Sequence, residues 1–573
     1  MTEPIDLAQI NKAMTIPAFG FLTRQRWLEN SWSDPQNFWL SVLERSSLTH
    51  HLRSKSAPFG YYDFAYDILH RVDNPQTPAL RFVSNRQEIV WTYGELREAV
   101  AATANCWLSM GVQPGVNIAL LIPFDIPYVV SLLAALSLGA TVCPVLPKGS
   151  RLVNERLTNL APEFVATDEL YGRLLGNLEF PVLPPQAPIT DNKPLPTFAY
   201  PSGAPVLRLY DPCQRRGGLP VAVSADILYL SSLRDGMVLL GLRPGDQMAA
   251  PAAHYMEHQP SMFLSCLLNG ATWLEGQGQS AAWWLEQTLR AIFLDSTLRD
   301  EILSSTQPEV IKWDLWLRNL AESNYLEQWQ AFARFGPLAE IPGVSFKWNS
   351  THGGALLWSL RRHGAVTSSA LPAPGVPWIL TNPADGLTEA IYGFGLFTPL
   401  WLEEMPAEGS ASACLLADGQ VEWAFAGIHG LSRQGRYYPQ EHLQGILDEE
   451  LGTEKCAIGV VPRPNSFDSR FDVIILTGDR TIGDEATVIG QVNQLAEQQL
   501  GAEHLPDKVV IVPLSIRRGE EGGIDHKWLT SRYPSGLINH MVRDGAFRAL
   551  SDLRCLFRRA KETLELEAED SVK

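Results

Sequence analysis

Lys347 to Ala355 reads KWNSTHGGA, and it places an aromatic ring, two hydroxyls, an imidazole and two glycines in seven consecutive residues. A histidine beside a threonine is a pair that acid–base chemistry can use, because an imidazole near neutrality takes a proton from a hydroxyl or a water. His352 and Thr351 are therefore the candidate catalytic residues, and His254 in PAAHYMEHQP is a second imidazole that could join them. The plainer alternative, a hydrogen-bonded loop histidine, stays open. A second stretch, YDPCQRRGGLPVAV from Tyr210 to Val223, carries Arg215 and Arg216 beside Gly217 and Gly218. Two guanidinium groups can grip an anion, and glycines let the backbone approach it. No G-x-S-x-G, H-E-x-x-H or G-x-x-x-x-G-K-[ST] motif is present.

These residues need a frame to hold them. LREAVAATANCWLSMG has apolar residues at helical spacing and closes on Gly111, and NIALLIP is a short continuous apolar run suited to a strand buried on both faces. The uncharged run PYVVSLLAALSLGATVCPVLP is long enough to span a bilayer. Its Gly139 and the prolines at 144 and 147 instead predict a buried helix over 126–138 and a strand over 141–145. Strand, helix, strand is a βαβ unit, so the chain is expected to be α/β with a parallel sheet. Residues 179–205 are dense in proline and read as an extended connector; a helix resumes near 224–239, and 280–335 read as helices. From Ala417 short strands and helices alternate in an α+β unit of about a hundred residues, with a boundary expected between Gly427 and Gly435. Residues 537–565 read as a packing helix.

The chain has 573 residues, too many for one core. Its formal net charge of −17 disfavours nucleic acid and anionic membrane surfaces as partners. Seven scattered cysteines with no C-x-x-C pair fit free thiols in a reducing compartment, and MTEPIDLAQI lacks the look of a signal peptide; a cytoplasmic location is the expectation.

Residues 91–147, WTYGELREAVAATANCWLSMGVQPGVNIALLIPFDIPYVVSLLAALSLGATVCPVLP, resemble the adenylate-forming superfamily of acyl-CoA synthetases, carrier-protein-loading adenylation domains and luciferases. The pattern is T-Y-x-E-L, a helix, G-V-x-x-G-x-x-V-A, an apolar strand and G-A-x-x-x-P. SDPQNFWLSVLE and YYDFAYDILHR resemble the amino-terminal extension of acetyl-CoA-synthetase-like members, and LGLRPGDQMAAPAAHYMEHQPSMFLSCLLNGATWLE resembles the stretch with a P-x-x-H step. The resemblance implies a large adenylate-forming-type domain with parallel and mixed sheets over 1–430, with 1–75 as its extension. A small α+β lid over 431–535 and a helical extension over 536–573 would follow. The implied chemistry is ATP plus a carboxylate giving an acyl-adenylate, then transfer to a thiol.

The implied ATP-handling positions have changed. In the Y-T-S-G-T-T-G-K-P-K-G-V frame, Val221 stands on the second lysine and Asp211, Pro212, Cys213, Gln214, Arg215 and Arg216 fill the small-residue run. Trp348 keeps the aromatic of Y-G-x-T-E and so becomes a candidate cofactor-binding residue. Thr351 keeps the threonine, and His352 replaces the glutamate. Ala411 falls on the T-G-D aspartate, Ile428 on an arginine, Gly523 on the closing lysine and His526 on its arginine, with Lys527 displaced. GRYYPQEHLQGIL retains Gly435, Arg436, Pro439 and Glu441 at the turn into the small domain.

A hard Mg²⁺ ion prefers oxygen to imidazole, and removing one preorganised charge donor costs about 10²–10³ in rate. The expectation is a scaffold that has lost normal ATP-dependent adenylation. It would act as an accessory or binding protein for an acyl thioester, CoA or an acyl carrier protein. CoA or phosphopantetheine is the cofactor it could retain; ATP and Mg²⁺ are doubtful, and no metal site is assigned. Two alternatives stand beside this: an active CoA or carrier-protein ligase using Arg215 and Arg216, and a His352-dependent thioester hydrolase or acyltransferase that needs no ATP.

Overall fold

The structure is a computed structural model. It describes residues 5–15, 21–46, 60–84, 87–189, 193–210, 219–306, 308–320, 326–360, 366, 369–375, 378–381, 394–399, 412–415, 421–423, 431–433, 436–438, 440–451, 456–462, 469–477, 485–501 and 505–513.

The predicted βαβ unit is present. Thr92 caps the helix Tyr93–Ser109 by accepting from Glu95 N while the Glu95 carboxylate reaches back to Thr92 N, a reciprocal capping box. Strand Asn117–Leu120 follows, and then Asp125 caps the helix Ile126–Ser137 through a hydrogen bond from Tyr128 N. That helix has 12 residues, about 18 Å at 1.5 Å per residue. Among the described residues no helix is long and apolar enough to cross a membrane. Gly139 turns the chain with φ +76° into strand Thr141–Pro144.

These strands belong to one sheet, in the order Val221–Ser224, Pro205–Leu209, Thr141–Pro144, Asn117–Leu120, Phe164–Ala166, Val182–Leu183. It is parallel except for the first pair. The described residues of the proline-rich connector, 179–189 and 193–205, form no α-helix, and the connector is tied down by its carbonyls: Trp107 Nε1 donates to Pro184 O and Ser131 Oγ to Pro185 O.

A second, mixed sheet holds a parallel centre in the order Gly343–Asn349, Trp316–Asn319, Ala291–Leu294, Gln247–Ala249, Thr272–Gln277, Pro78–Ser84. Strand Gln87–Thr92 pairs antiparallel at one edge, and Gly354–Leu360 turns back antiparallel on Gly343–Asn349. Here the sequence reading needs correction. Residues 280–335 are not all helical: they alternate helices Ala281–Glu286, Ser296–Ser304 and Leu326–Phe335 with the core strands Ala291–Leu294 and Trp316–Asn319. Short apolar runs buried on both faces have no period to separate strand from helix. The helix near 224–239 is Ala225–Arg234, which continues as a π-helical segment, Asp235–Leu240, and ends on Gly241 at φ +63°.

The contacts divide the chain into two units. One comprises Met1–Pro147, Val153–Ile428 and Gln434–Arg436; the other comprises Lys148–Leu152, His429–Arg433 and Tyr437–Lys573. In the second unit the strands Cys456–Pro462, Ser469–Thr477 and Lys508–Pro513 form a mixed sheet, with helices Gln440–Leu451 and Glu485–Leu500. Its core gathers Leu443, Ile446, Leu447, Val473, Val492 and Leu500, joined by Leu152 from far earlier in the chain. The bidentate Arg151–Glu449 pair lies beside that junction.

Candidate functional site

Strand Gly343–Asn349 alternates its side chains across the sheet, so Val344, Phe346 and Trp348 share one face and Ser345, Lys347 and Asn349 the other. Trp348 is fully buried, stands edge-on to Phe346 in the main core, and donates its indole N–H to Ser261 Oγ at 2.8 Å. Its ring presents no open face. The sequence reading placed Trp348 beside a cofactor; the structure places it in the core.

On the opposite face Lys347 Nζ meets Glu257 Oε1 at 2.5 Å, and both residues are buried. A buried lysine is tolerated when it is paired. Glu257 also accepts Ser350 N on its carbonyl at 2.7 Å, and Ser261 and Ser350 share a hydroxyl–hydroxyl contact of 2.7 Å. Segment 254–261 is therefore bound to turn 350–352 at two points and to Lys347 on the preceding strand at a third. This brings the His254 segment alongside the His352 turn.

The two imidazoles do different work. His254 Nδ1 accepts Met256 N at 3.3 Å and Glu257 N at 3.2 Å, so it shapes its own turn. His258 Nδ1 in turn accepts His254 N at 2.8 Å. His352 is half-buried, with Nδ1 3.0 Å from Thr351 Oγ1. Thr351 Oγ1 gives its proton to Asn349 Oδ1 at 2.8 Å, and the same oxygen accepts Thr351 N at 3.0 Å. A hydroxyl has one proton. With that proton on Asn349, Thr351 can only accept from His352, so Nδ1 carries the hydrogen of the His352–Thr351 bond. His352 does not draw the proton from Thr351 in this arrangement; Thr351 orients the ring.

Two glycines close the turn, at φ +86° for Gly353 and +156° for Gly354. A Cβ on Gly353 would press on Ile227 Cγ2 at 2.6 Å, and one on Gly354 would collide with Asp235 Oδ2. Ser231 Oγ donates to Gly353 O at 2.5 Å. Asp235 accepts Ala355 N at 2.9 Å, while Arg234 donates to Ala355 O at 2.7 Å and to Asp235 itself. Burial pushes the Asp235 carboxyl up to about 6, with Arg234 and the Ala355 N–H pulling the other way. The π-helical segment begins at Asp235, so it fixes the carboxylate that holds the turn.

Arg215, Arg216, Gly217, Gly218 and Gly435 lie outside the described residues, as do Ala411, Ile428, Gly523, His526 and Lys527. Arg436 opens the short strand Arg436–Tyr438. Sequence reasoning missed Lys347, Glu257, Asn349 and Ser261. The only signal was a lysine inside the otherwise apolar run GVSFKW, which demands a buried counter-charge without saying where it comes from.

Residues 70–165 match the family model described as AMP-binding enzyme. A curated relative, the hybrid PKS-NRPS synthetase mycA of Thermothelomyces thermophilus, is 38% identical over 90 residues. That match covers 15% of this chain and 2% of the relative's length. The fold is shared with solved structures at low identity. Acetoacetyl-CoA synthetase from Streptomyces lividans has a TM-score of 0.58 at 18% identity, covering 91% of this chain and 92% of that one. A double mutant of o-succinylbenzoate CoA synthetase from Bacillus subtilis, bound with a product analogue, has 0.63 at 14%, covering 82% and 98%. An artificially fused adenylation–PCP di-domain from Klebsiella oxytoca has 0.59 at 16%, covering 78% and 92%.

Proposed function

We propose that this chain, a member of the adenylate-forming superfamily by its fold and by the AMP-binding match over residues 70–165, has given up ATP-dependent adenylation. It serves instead as a binding or accessory protein for an acyl thioester, CoA or a carrier-protein-borne phosphopantetheine. The observation that carries this reading is the turn after Lys347. Where the resemblance implies a carboxylate for Mg²⁺ stands His352, a nitrogen donor whose ring is oriented by Thr351. Where it implies an aromatic beside the adenine stands Trp348, closed into the core. The residues at this turn do not fit ATP and its metal.

What such a scaffold retains is a frame for a thioester. The kinship with an adenylation–PCP di-domain and with CoA synthetases supports phosphopantetheine as the common chemical element. A His352-dependent hydrolase or acyltransferase remains the second reading; Thr351 would position the imidazole in it and would not be the nucleophile. A thermal-shift panel tests the main reading. CoA or an acyl-CoA at saturating concentration raises the melting temperature by several degrees, and ATP with Mg²⁺ leaves it unchanged. Stabilisation by ATP with Mg²⁺ and none by any CoA species overturns it.

A further inference from the structure

A cavity of about 170 Å³ opens where the two sheets of the first unit come together. It lies beyond the carboxyl ends of the parallel strands Pro78–Ser84, Thr272–Gln277, Gln247–Ala249 and Asn117–Leu120, where α/β sheets commonly take ligands. Asp125, Glu275, Gln259 and Gln277 contribute its polar wall, and the rings of Phe82 and Phe124, 6.4 Å apart, contribute an apolar one. Among the described residues that line it there is no lysine, arginine or histidine.

Among the described residues, three acceptor oxygens on this wall have no protein donor, and the most deeply buried of the three is on Gln259. Asp125 spends Oδ1 on Tyr128 N as a helix cap, which leaves Oδ2. Glu275 spends Oε2 on Trp273 Nε1 at 3.3 Å, which leaves Oε1. Gln259 is only 3% exposed and its Oε1 has no partner. A buried acceptor without a donor costs free energy that a bound ligand can recover. Burial also raises the Asp125 carboxyl to about 6, with Asp168 adding like-charge repulsion, and raises Glu275 to about 7. Among the described residues no cation offsets the burial of either group, and an incoming one would favour their ionised forms.

We propose that this cavity is a binding site for a small primary ammonium compound, whose three N–H donors meet Asp125, Glu275 and Gln259 while its alkyl chain lies against Phe82 and Phe124. A –NH₃⁺ group offers three donors and no acceptor, which matches a wall of open acceptors. The site stands on the cavity and not on the reading of the KWNSTHGGA turn, so either can fail alone.

The test uses the full chain at pH 8 with n-butylammonium, n-butanol and butyrate as probes, read by saturation-transfer NMR titration. Charge-assisted hydrogen bonds should give butylammonium about tenfold or more over butanol, with butyrate weakest. Glu275→Gln keeps an acceptor for Trp273, and Asp125→Ser keeps the helix cap. Each should erase most of the ammonium preference while near-ultraviolet circular dichroism stays native. The proposal is overturned if butylammonium does not bind, if butanol or butyrate binds as well, or if both variants fold and keep the preference.

Discussion

Lys347 shows how a single charge constrains this site. Its ammonium is buried against Glu257, and removing either partner takes from the other its close opposite charge in a low-dielectric interior. Such losses cost roughly 3–5 kcal/mol, whereas replacing both partners by apolar side chains of similar volume is often neutral. Lys347→Met and Glu257→Leu should therefore each lower the urea midpoint strongly, and the double variant should recover much of the loss. Additive effects in that cycle would show that the pair is not coupled.

Asp63 makes a prediction of opposite character. It is buried at the start of the helix Phe64–Leu69, and burial, reinforced by Asp67, pushes its carboxyl up to about 7. A folded-state value above the unfolded one means that the native chain holds the proton more tightly. Stability from this group is full below about pH 4, falls as pH rises towards 7, and stays low above it. Asp63→Asn keeps the cap and cannot ionise. Its melting temperature should exceed that of the parent by more at pH 8 than at pH 4.5, by the equivalent of about 3 kcal/mol. An advantage independent of pH would show that the native carboxyl titrates normally.

At the level of elements, the hairpin Gly343–Asn349 and Gly354–Leu360 sets the position of His352. The two glycines, Asp235 and Ser231 lock its turn to the Ala225–Arg234 helix and its π-helical continuation. Gly354→Ala must move either the turn or Asp235, so it should cost roughly 2 kcal/mol or more by chemical denaturation. An unchanged midpoint would mean that the turn adapts freely. Gly111 and Gly139 punctuated the first βαβ unit, so its elements were legible although some ends were missed: the helix read from Leu96 starts at Tyr93, and the strand read as NIALLIP stops at Leu120. The capping box of Thr92 and Glu95, which the sequence reading did not use, sets the helix start. The strands within 280–335 were not legible, because central parallel strands are apolar on both faces and rich in the same Trp and Leu as their neighbouring helices. At the site, local sequence gave His352 and Thr351 as neighbours, but the direction of the Thr351 proton depends on Asn349. The partner of Lys347 lies 90 residues away, and only the sheet brings them together.

For the whole molecule, the question is what a fold shared at low identity with CoA synthetases does when the turn after Lys347 is built from a core tryptophan and an oriented histidine. Acid–thiol ligation demands that ATP be held while its phosphates become a leaving group, which needs preorganised charge at several points. Under the proposed function that charge is lost while thioester recognition is kept, because thioester binding requires shape and hydrogen bonds and no phosphoryl chemistry. Calorimetric titration of ATP with Mg²⁺ into the full chain tests this most directly. No heat beyond dilution up to millimolar nucleotide is the predicted result; saturable binding in the micromolar range, with or without a carboxylic acid present, would contradict it.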